Sequence, residues 1–406
     1  MTVFEINGVP YGSTYKIMVG IARVAGEEGI KAIISTGYSR HPDKNMPENH
    51  VNIGGFFNKA FHMALSKVIS LDGYGSLLST ERLIKEIKNS KADIIHLHNI
   101  HGAFLNFPVL FHFLKREKLA VVWTFHDCWN FTGICPHFTM AKCDRWKIGC
   151  GECPQYKTIF SGYIADRSDV MWRKKKEWFT GLERSVVVTP SHWLGELVEK
   201  SFFREYPVKV INNGIDLSIF TPKEGSRKKL GLPDDKYIIL GVAMGWDERK
   251  GMDVFVSLAK KLDKRFMIIL IGTNEECEKQ LPRSILTVRR TQNQAELAEY
   301  YSAVDMLVNP TREDTFPTVN IEALACGTPV VNFKTGGCPE ILDEKCGAIV
   351  PCDDVDALQA RIIQEYERPS FDRDYCRKRA LKYDMNDKFK EYVKLYKQLL
   401  NNEVVL

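Results

Sequence analysis

Short apolar runs recur along this chain and alternate with longer amphipathic stretches. Runs at residues 3–6, 32–35, 93–97, 120–125 and 185–189 are rich in β-branched residues. Several are continuously apolar, the pattern of strands buried on both faces. A second series follows at 208–211, 237–242, 266–271, 285–288, 305–308, 329–333 and 348–350. Between them, segments such as 77–88 and 252–262 carry apolar residues at helical spacing. Alternating strands and helices imply parallel sheets in doubly wound units. So many strands overload one open sheet, and the pattern predicts an α/β chain with two sheets of roughly five to seven strands. We place the break near Glu205-Tyr206-Pro207, giving one Rossmann-like domain over 1–205 and another over 206–382. The last helical stretch, 387–400, lines up Phe389, Tyr392, Val393, Tyr396 and Leu399 on one face. Such a face needs a surface to cover, so the tail 383–406 is expected to return to the first domain.

Composition narrows the class. The 406 residues are 44% hydrophobic and 26% charged, which excludes a disordered or fibrous chain. Fifty-six basic residues against 51 acidic ones leave a net charge of +5, too dilute to mark a nucleic-acid binder. No apolar run approaches the roughly 18 residues that cross a bilayer. The start, MTVFEING, lacks the layout of a secretory signal. We expect a cytoplasmic protein with scope for peripheral contact at the inner membrane face. Five of the 11 cysteines fall between 128 and 153. In a reducing compartment such a cluster reads as metal ligands or buried small residues before disulfides. The basic run 173–176 reads equally as a solvated helix face or an anionic-surface contact.

Ligands of open α/β sheets bind outside the carboxyl ends of the strands, so two such sheets facing each other would place the site in the cleft between them. Three post-strand loops carry suitable chemistry. In 335–340, Gly336 and Gly337 admit close backbone approach, and Pro339 suits the first position of a helix. This is an anion site or a plain turn. In 243–252, Arg249 and Lys250 place two cations where a diphosphate leaving group needs them, or they are solvated. In 310–329, Glu313 and Asp314 precede a turn, and Glu322 follows eight residues after Asp314. A carboxylate accepts two hydrogen bonds from a vicinal diol, so Asp314 and Glu322 suit a sugar or ribose. His126-Asp127 ends a strand and reads as a functional pair or a neutral core histidine.

These residues resemble the retaining glycosyltransferases of family 4, which have the GT-B fold. The resemblance spans almost the whole chain. Its strongest part is the stretch 314–329, supported by Asn213-Gly214-Ile215-Asp216, Thr189-Pro190-Ser191 and Arg249-Lys250-Gly251. The family has Glu where this chain has Asp314, and an Arg near Gly245 that is missing here, so Arg249 is expected to take part of that role. The segment 126–154 is similar to a subgroup that builds bacterial surface polysaccharides, including colanic-acid transferases. Within it Cys135, Cys143, Cys150 and Cys153 suit a structural zinc or a loop held by packing; their spacing matches no standard finger.

The resemblance implies a hexosyltransferase with a nucleotide-diphosphate sugar as donor and a glycan, lipid-linked in exopolysaccharide or capsule assembly, as acceptor. Glu322 would bind ribose, and Asp314 with Glu313 the sugar hydroxyls. Phe316, Thr318 and Asn213 would complete the donor site. Lys250, Arg249 and the Gly336-Gly337 turn would hold the diphosphate. The loop with Tyr11, Gly12, Ser13 and Thr14 would serve acceptor and phosphate, and His126 with Asp127 would stand by the transferred sugar. No Asp-x-Asp pair holds a metal here, so no metal or other cofactor is expected in catalysis. The alternatives are a GT-B sugar-nucleotide epimerase and a non-catalytic metal-binding protein built on the cysteine cluster.

Overall fold

The computed structural model describes residues 1–43, 46–159, 163–401 and 403. It divides into two units, one of Met1–Asn212 joined by the chain from Asn386 onward, the other of Asn213–Met385. The first holds β1 (Thr2–Asn7), β2 (Lys31–Gly37), β3 (His50–Ile53), β4 (Ile94–Leu97), β5 (Ala120–Thr124), β6 (Ser185–Thr189) and β7 (Val208–Val210). They form one parallel sheet in the order β3-β2-β1-β4-β5-β6-β7. The second holds β8 (Tyr237–Val242), β9 (Phe266–Ile271), β10 (Ile285–Val288), β11 (Met306–Asn309), β12 (Val330–Phe333) and β13 (Gly347–Val350), ordered β10-β9-β8-β11-β12-β13 and again parallel.

The apolar runs are these strands, with ends moved by a residue or two. Strand β3 escaped the pattern because its sequence, HVNI, is polar and mostly half-exposed at the sheet edge. The expected break at 205/206 falls too early. Val208 pairs with Val187 of β6, so β7 closes the first sheet and the chain leaves after Asn212.

Each sheet buries an apolar core on its faces. In the first unit Trp123 packs against Phe111, Phe179 and Phe203 at centroid distances of 5.1–5.4 Å. Truncating such an aromatic to alanine costs about 3–5 kcal/mol. The C-terminal helix Met385–Leu400 buries Phe389, Tyr392, Val393, Leu395, Tyr396 and Leu399 within this unit. Of the tail, residues 402 and 404–406 lie outside the described residues.

The strand orders fix where ligands can bind. In the first sheet the order reverses between β1 and β4, and in the second between β8 and β11. Loops leaving neighbouring strands at such a switch point diverge and open a crevice. The loops after β8 and β11 carry Lys250 and Asp314.

Candidate active site

In the second unit the loop after β8 is a fixed turn. Trp246 is buried and donates its indole N–H to the Ile271 carbonyl at 3.0 Å. Asp247 Oδ1 accepts the Lys250 N–H at 2.8 Å. Gly251 caps helix Met252–Lys261 with φ of +78°, and a Cβ there would lie 2.5 Å from the Pro310 carbonyl oxygen. Both demands select glycine. The neighbouring loop after β11 is tied on by its backbone: Arg312 N–H donates to the Arg249 carbonyl at 2.8 Å. Beside this seam Lys250 Nζ stands 2.8 Å from Asp314 Oδ2, the side chains 22% and 21% exposed. So exposed a pair adds at most about 1 kcal/mol to stability. It does set a cation and an anion side by side at the switch point.

A third loop, after β12, locks beneath Asp314. Gly336 has φ of +50°, and a Cβ there would lie 1.7 Å from the Asp314 carbonyl oxygen. The Thr335 hydroxyl donates to the Arg312 carbonyl at 2.7 Å. Gly337 caps a helix of four residues, Cys338–Ile341, with Pro339 at its second position rather than the expected first. One turn has too little length for a macrodipole, so any anion affinity here comes from individual N–H groups. Arg312, which sequence reasoning passed over, holds the loops in place. Its guanidinium forms a fork on Asp253 at 2.8 Å and reaches Asp353 at 2.6 Å.

Glu322 lies on helix Thr318–Ala325, half-buried, and its Oε2 accepts the Tyr301 hydroxyl at 3.0 Å. A buried amide chain anchors this helix: Asn309 donates to Asn320 at 2.8 Å, and Asn320 to Asn332 at 3.2 Å. Of the two acids before the turn, Glu313 is 4% exposed, whereas Asp314 faces Lys250. Phe316 is buried against Tyr383. Thr318 and Asn213 are half-buried, and Arg249 meets Asp247 loosely at 3.9 Å. Elsewhere, Asp354 and Asp372 of two Asp-x-Asp pairs are spent as helix caps, accepting from Ala357 and Tyr375.

The first unit gathers histidines at its own switch point. Glu5 on β1 lies beside His96 on β4 in register. His98 Nε2 meets Glu5 Oε2 at 3.2 Å, and its Nδ1 meets His126 Nε2 at 3.1 Å. Burial holds Glu5 well above the usual carboxylate range and His98 well below the usual histidine range. Burial also lowers His126 to about 4, with Asp127 opposing. These groups are therefore neutral near pH 7. Asp127 acts on the adjacent His126 through its charge. Asp127 Oδ2 meets His101 Nε2 at 3.2 Å, and Asp127 Oδ1 fixes the Trp129 N–H at 2.8 Å. Burial works against charge on His101, but the Asp127 hydrogen bond and charge outweigh it and raise its pKa. His98 and His101 went unnoticed, although their signal, His96-x-His98-x-x-His101 at the end of β4, was present. Glu5, His96 and His98 are the one trio among the described residues with metal-compatible spacing. His96 spends both ring nitrogens on hydroxyls, on Tyr396 at 2.6 Å and Thr124 at 2.8 Å. Tyr11, half exposed, caps helix Gly12–Glu27, which begins with Gly12, Ser13 and Thr14.

A cavity of about 480 Å³ opens in the first unit, with Lys59, Met63, Lys67, His101, Trp129 and Tyr163 in its wall. Lys59, Met63 and Lys67 come from helix Phe56–Ile69, whose amphipathicity is inverted. Its buried positions are His62 and Ser66, while Phe57, Phe61 and Val68 are 85%, 66% and 65% exposed. The basic run 173–176 is not a uniform solvated face. Arg173 and Lys174 pair with Asp169 and Glu177, but Lys175 is wholly buried. Its Nζ donates to the Trp129 and Thr132 carbonyls at 2.7 and 3.1 Å and lies 3.2 Å from the Trp129 ring centroid. Cys135, Cys143, Cys150 and Cys153 line one small space nearby. Among the described residues, no three of these sulfurs lie within 4.8 Å of one another. No described helix is long and apolar enough to cross a membrane.

Comparison with known proteins agrees with this fold. Residues 65–219 match the family described as Glycosyltransferase Family 4, and residues 236–368 match Glycosyl transferases group 1. The chain is 23% identical over 351 residues to a protein of Escherichia coli (strain K12) named as a colanic acid biosynthesis glycosyl transferase, WcaC, covering 83% of this chain and 84% of that one. Among solved structures, sucrose-phosphate synthase from Thermosynechococcus elongatus superposes with a TM-score of 0.75 at 18% identity, over 99% and 100% of the chains. Anabaena HepE, in complex with UDP, gives 0.68 at 14% identity, over 98% and 100%. With two parallel Rossmann-like sheets, GT-B neighbours and both family matches, the chain belongs to the group 1, family 4 glycosyltransferases.

Proposed function

We propose that this glycosyltransferase is a retaining, metal-independent hexosyltransferase that moves a sugar from a nucleotide-diphosphate donor to a lipid-linked glycan in surface polysaccharide assembly. The observation that carries the reading is the Lys250–Asp314 pair at the β8/β11 switch point, with Glu322 on the helix that follows. Lys250 and Arg249 neutralise the departing diphosphate, aided by backbone N–H groups at Gly336 and Gly337. Asp314 takes the sugar hydroxyls, with Glu313, Phe316, Thr318 and Asn213 supporting the site, and Glu322 takes the ribose diol. In the first unit His126 and Asp127 serve the transferred sugar, while the turn from Tyr11 to Thr14 serves phosphate or acceptor. UDP in the related Anabaena HepE supports a nucleotide-sugar donor.

The bond from the anomeric carbon to the diphosphate oxygen breaks as the acceptor oxygen bonds to the same face of that carbon. The acceptor proton passes to the departing phosphate. Positioning and fixed positive charge then supply the catalysis. A lipid-linked acceptor is supported by the cavity with Lys59 and Lys67 in its wall and by the exposed Phe57–Phe61–Val68 stripe beside it. The name of the Escherichia coli relative supports a polysaccharide product.

The test is a panel of UDP- and GDP-sugars with lipid-linked glycan acceptors, assayed in EDTA, with the product anomer read by NMR. Transfer with the donor's configuration kept is expected. An inverted product, a strict metal requirement, or donor epimerisation without acceptor overturns the proposal.

A further inference from the structure

Residues between β5 and helix Ser168–Phe179 form a long excursion whose described helical elements are three short turns, Trp129–Phe131, Arg145–Lys147 and Tyr156–Ile159. Excursions of this length without regular structure are uncommon in ordered domains. This one is ordered where the acceptor cavity needs it, since it contributes Trp129, Ile134 and Pro136 to that wall. Lys175 ties its first turn down. The Trp172 indole N–H ties the second turn to the same helix through the Trp146 carbonyl at 2.8 Å, and around that turn the four cysteines line one space.

We propose that Cys135, Cys143, Cys150 and Cys153 bind one zinc ion that staples this loop. The four line a single space of about 20 Å³, room for about one water-sized occupant. Their companions in its wall include Ile134, Phe138 and Trp146, with Thr132, Arg145 and Ser168. Cys135 Sγ and Cys153 Sγ lie 3.7 Å apart. Zinc–sulfur bonds of about 2.3 Å place tetrahedral ligands about 3.8 Å apart, whereas a disulfide needs about 2.05 Å. The pair thus already spans one edge of the tetrahedron, and binding requires Cys143 and Cys150 to turn towards it.

The surroundings suit thiolates. The Gly133 N–H donates to Cys150 Sγ at 3.2 Å, and the Gln155 N–H donates to Cys153. Such donors orient and stabilise metal-bound sulfur. The turn from Cys150 to Cys153 uses φ of +146° at Gly151 and +44° at Glu152, the latter unusual for a residue with a side chain. Arg145 clasps this turn, reaching the Glu152 carbonyl and carboxylate at 3.1 Å each. Four thiolates around Zn²⁺ carry a net charge of −2. Lys175 acts electrostatically on Cys150 and Cys135, and Arg145 on Cys153. Burial lowers Lys175 to about 7, and the nearby thiols favour its charged form.

The experiment uses the full chain, purified in reductant without chelator and analysed for metals by mass spectrometry. About one zinc per chain is expected. Titration of the wild-type protein with a mercurial reagent should release it in step with about four thiols, a readout that needs no variant. Cys143→Ser and Cys150→Ser should each cut zinc content at least tenfold. Glu322→Gln should keep zinc in full, which separates this site from glycosyl transfer. Protein without metal and with four freely reactive thiols overturns the proposal, as does a Cys135–Cys153 disulfide found by non-reducing peptide mapping.

Discussion

Lys250 holds its ammonium 2.8 Å from a carboxylate oxygen of Asp314, joining the loops after β8 and β11 at the switch point of the second sheet. The pair is a fifth exposed on each side and adds little to folding. Lys250→Ala should therefore leave the urea midpoint nearly unchanged while lowering kcat by about 10²–10³, by analogy with losing one oxyanion donor. The loss should fall on kcat more than KM, because charge on the diphosphate grows in the transition state. Steady-state kinetics beside an unfolding curve checks both. A variant with unchanged kcat removes Lys250 from the reaction.

Glu322 should matter through its charge. Hydrogen bonds to a charged group contribute about 1.5–3 kcal/mol each. Glu322→Gln keeps the shape and should lower transfer at least tenfold with the fold intact. Tyr301→Phe, which removes the hydroxyl that orients Glu322 at 3.0 Å, should cost less. Donor binding by calorimetry decides: near-normal affinity in Glu322→Gln excludes a role on the ribose.

The buried His96 makes the first unit sensitive to acid. Burial lowers its pKa from an ordinary 6.5 to about 3. Between those values the unfolded chain binds a proton that the folded chain refuses, so stability is full above pH 6.5 and is lost as pH falls towards 3. At pH 5 the loss from this residue is about 2 kcal/mol. Glu5, which faces it at 3.9 Å, is raised by burial and contributes with the opposite sign. The comparison must therefore be between wild type and His96→Gln. The variant starts less stable but should lose less between pH 7 and 5 in urea titrations. Parallel losses would show that His96 is not held neutral.

The inverted helix Phe56–Ile69 should bind anionic vesicles. It carries Lys59 and Lys67, contains no acidic residue, and turns Phe57 and Phe61 to solvent. In flotation with phosphatidylglycerol-containing vesicles, wild type should rise with the lipid. Phe57→Ser/Phe61→Ser should reduce the bound fraction several-fold without lowering the urea midpoint, because the lost rings bury little in the folded chain. Equal flotation of both proteins removes this helix from any membrane contact.

Much of this was legible in the sequence, for identifiable reasons. Strands buried on both faces are apolar at every position, so β5 and β8 announce themselves, whereas the polar edge strand β3 does not. Lys250, Asp314 and Glu322 stood out because charges beside strand ends are hard to explain by packing. The His101–Asp127 contact was not legible, because it joins loops after two different strands. Lys175 was hidden inside a basic run, yet it lies in helical register with Met171, Trp172, Trp178 and Phe179 on the buried face. The helix Phe56–Ile69 defeats the rule that apolar faces point inward. Only the fold shows which face is which.

The return of the last helix to the first sheet has a consequence for how the protein is made. Tyr396 closes over His96, and Phe389 fills the space beside Gly20 on the helix after β1. The first unit is thus completed only by residues that are translated after the whole second unit. Until Tyr396 emerges, His96 lacks one of its two hydroxyl partners. A fragment ending at Asn212 carries every strand of the first sheet, yet it lacks its lid. The nascent chain must hold that half-finished domain in solution while the whole second unit is translated.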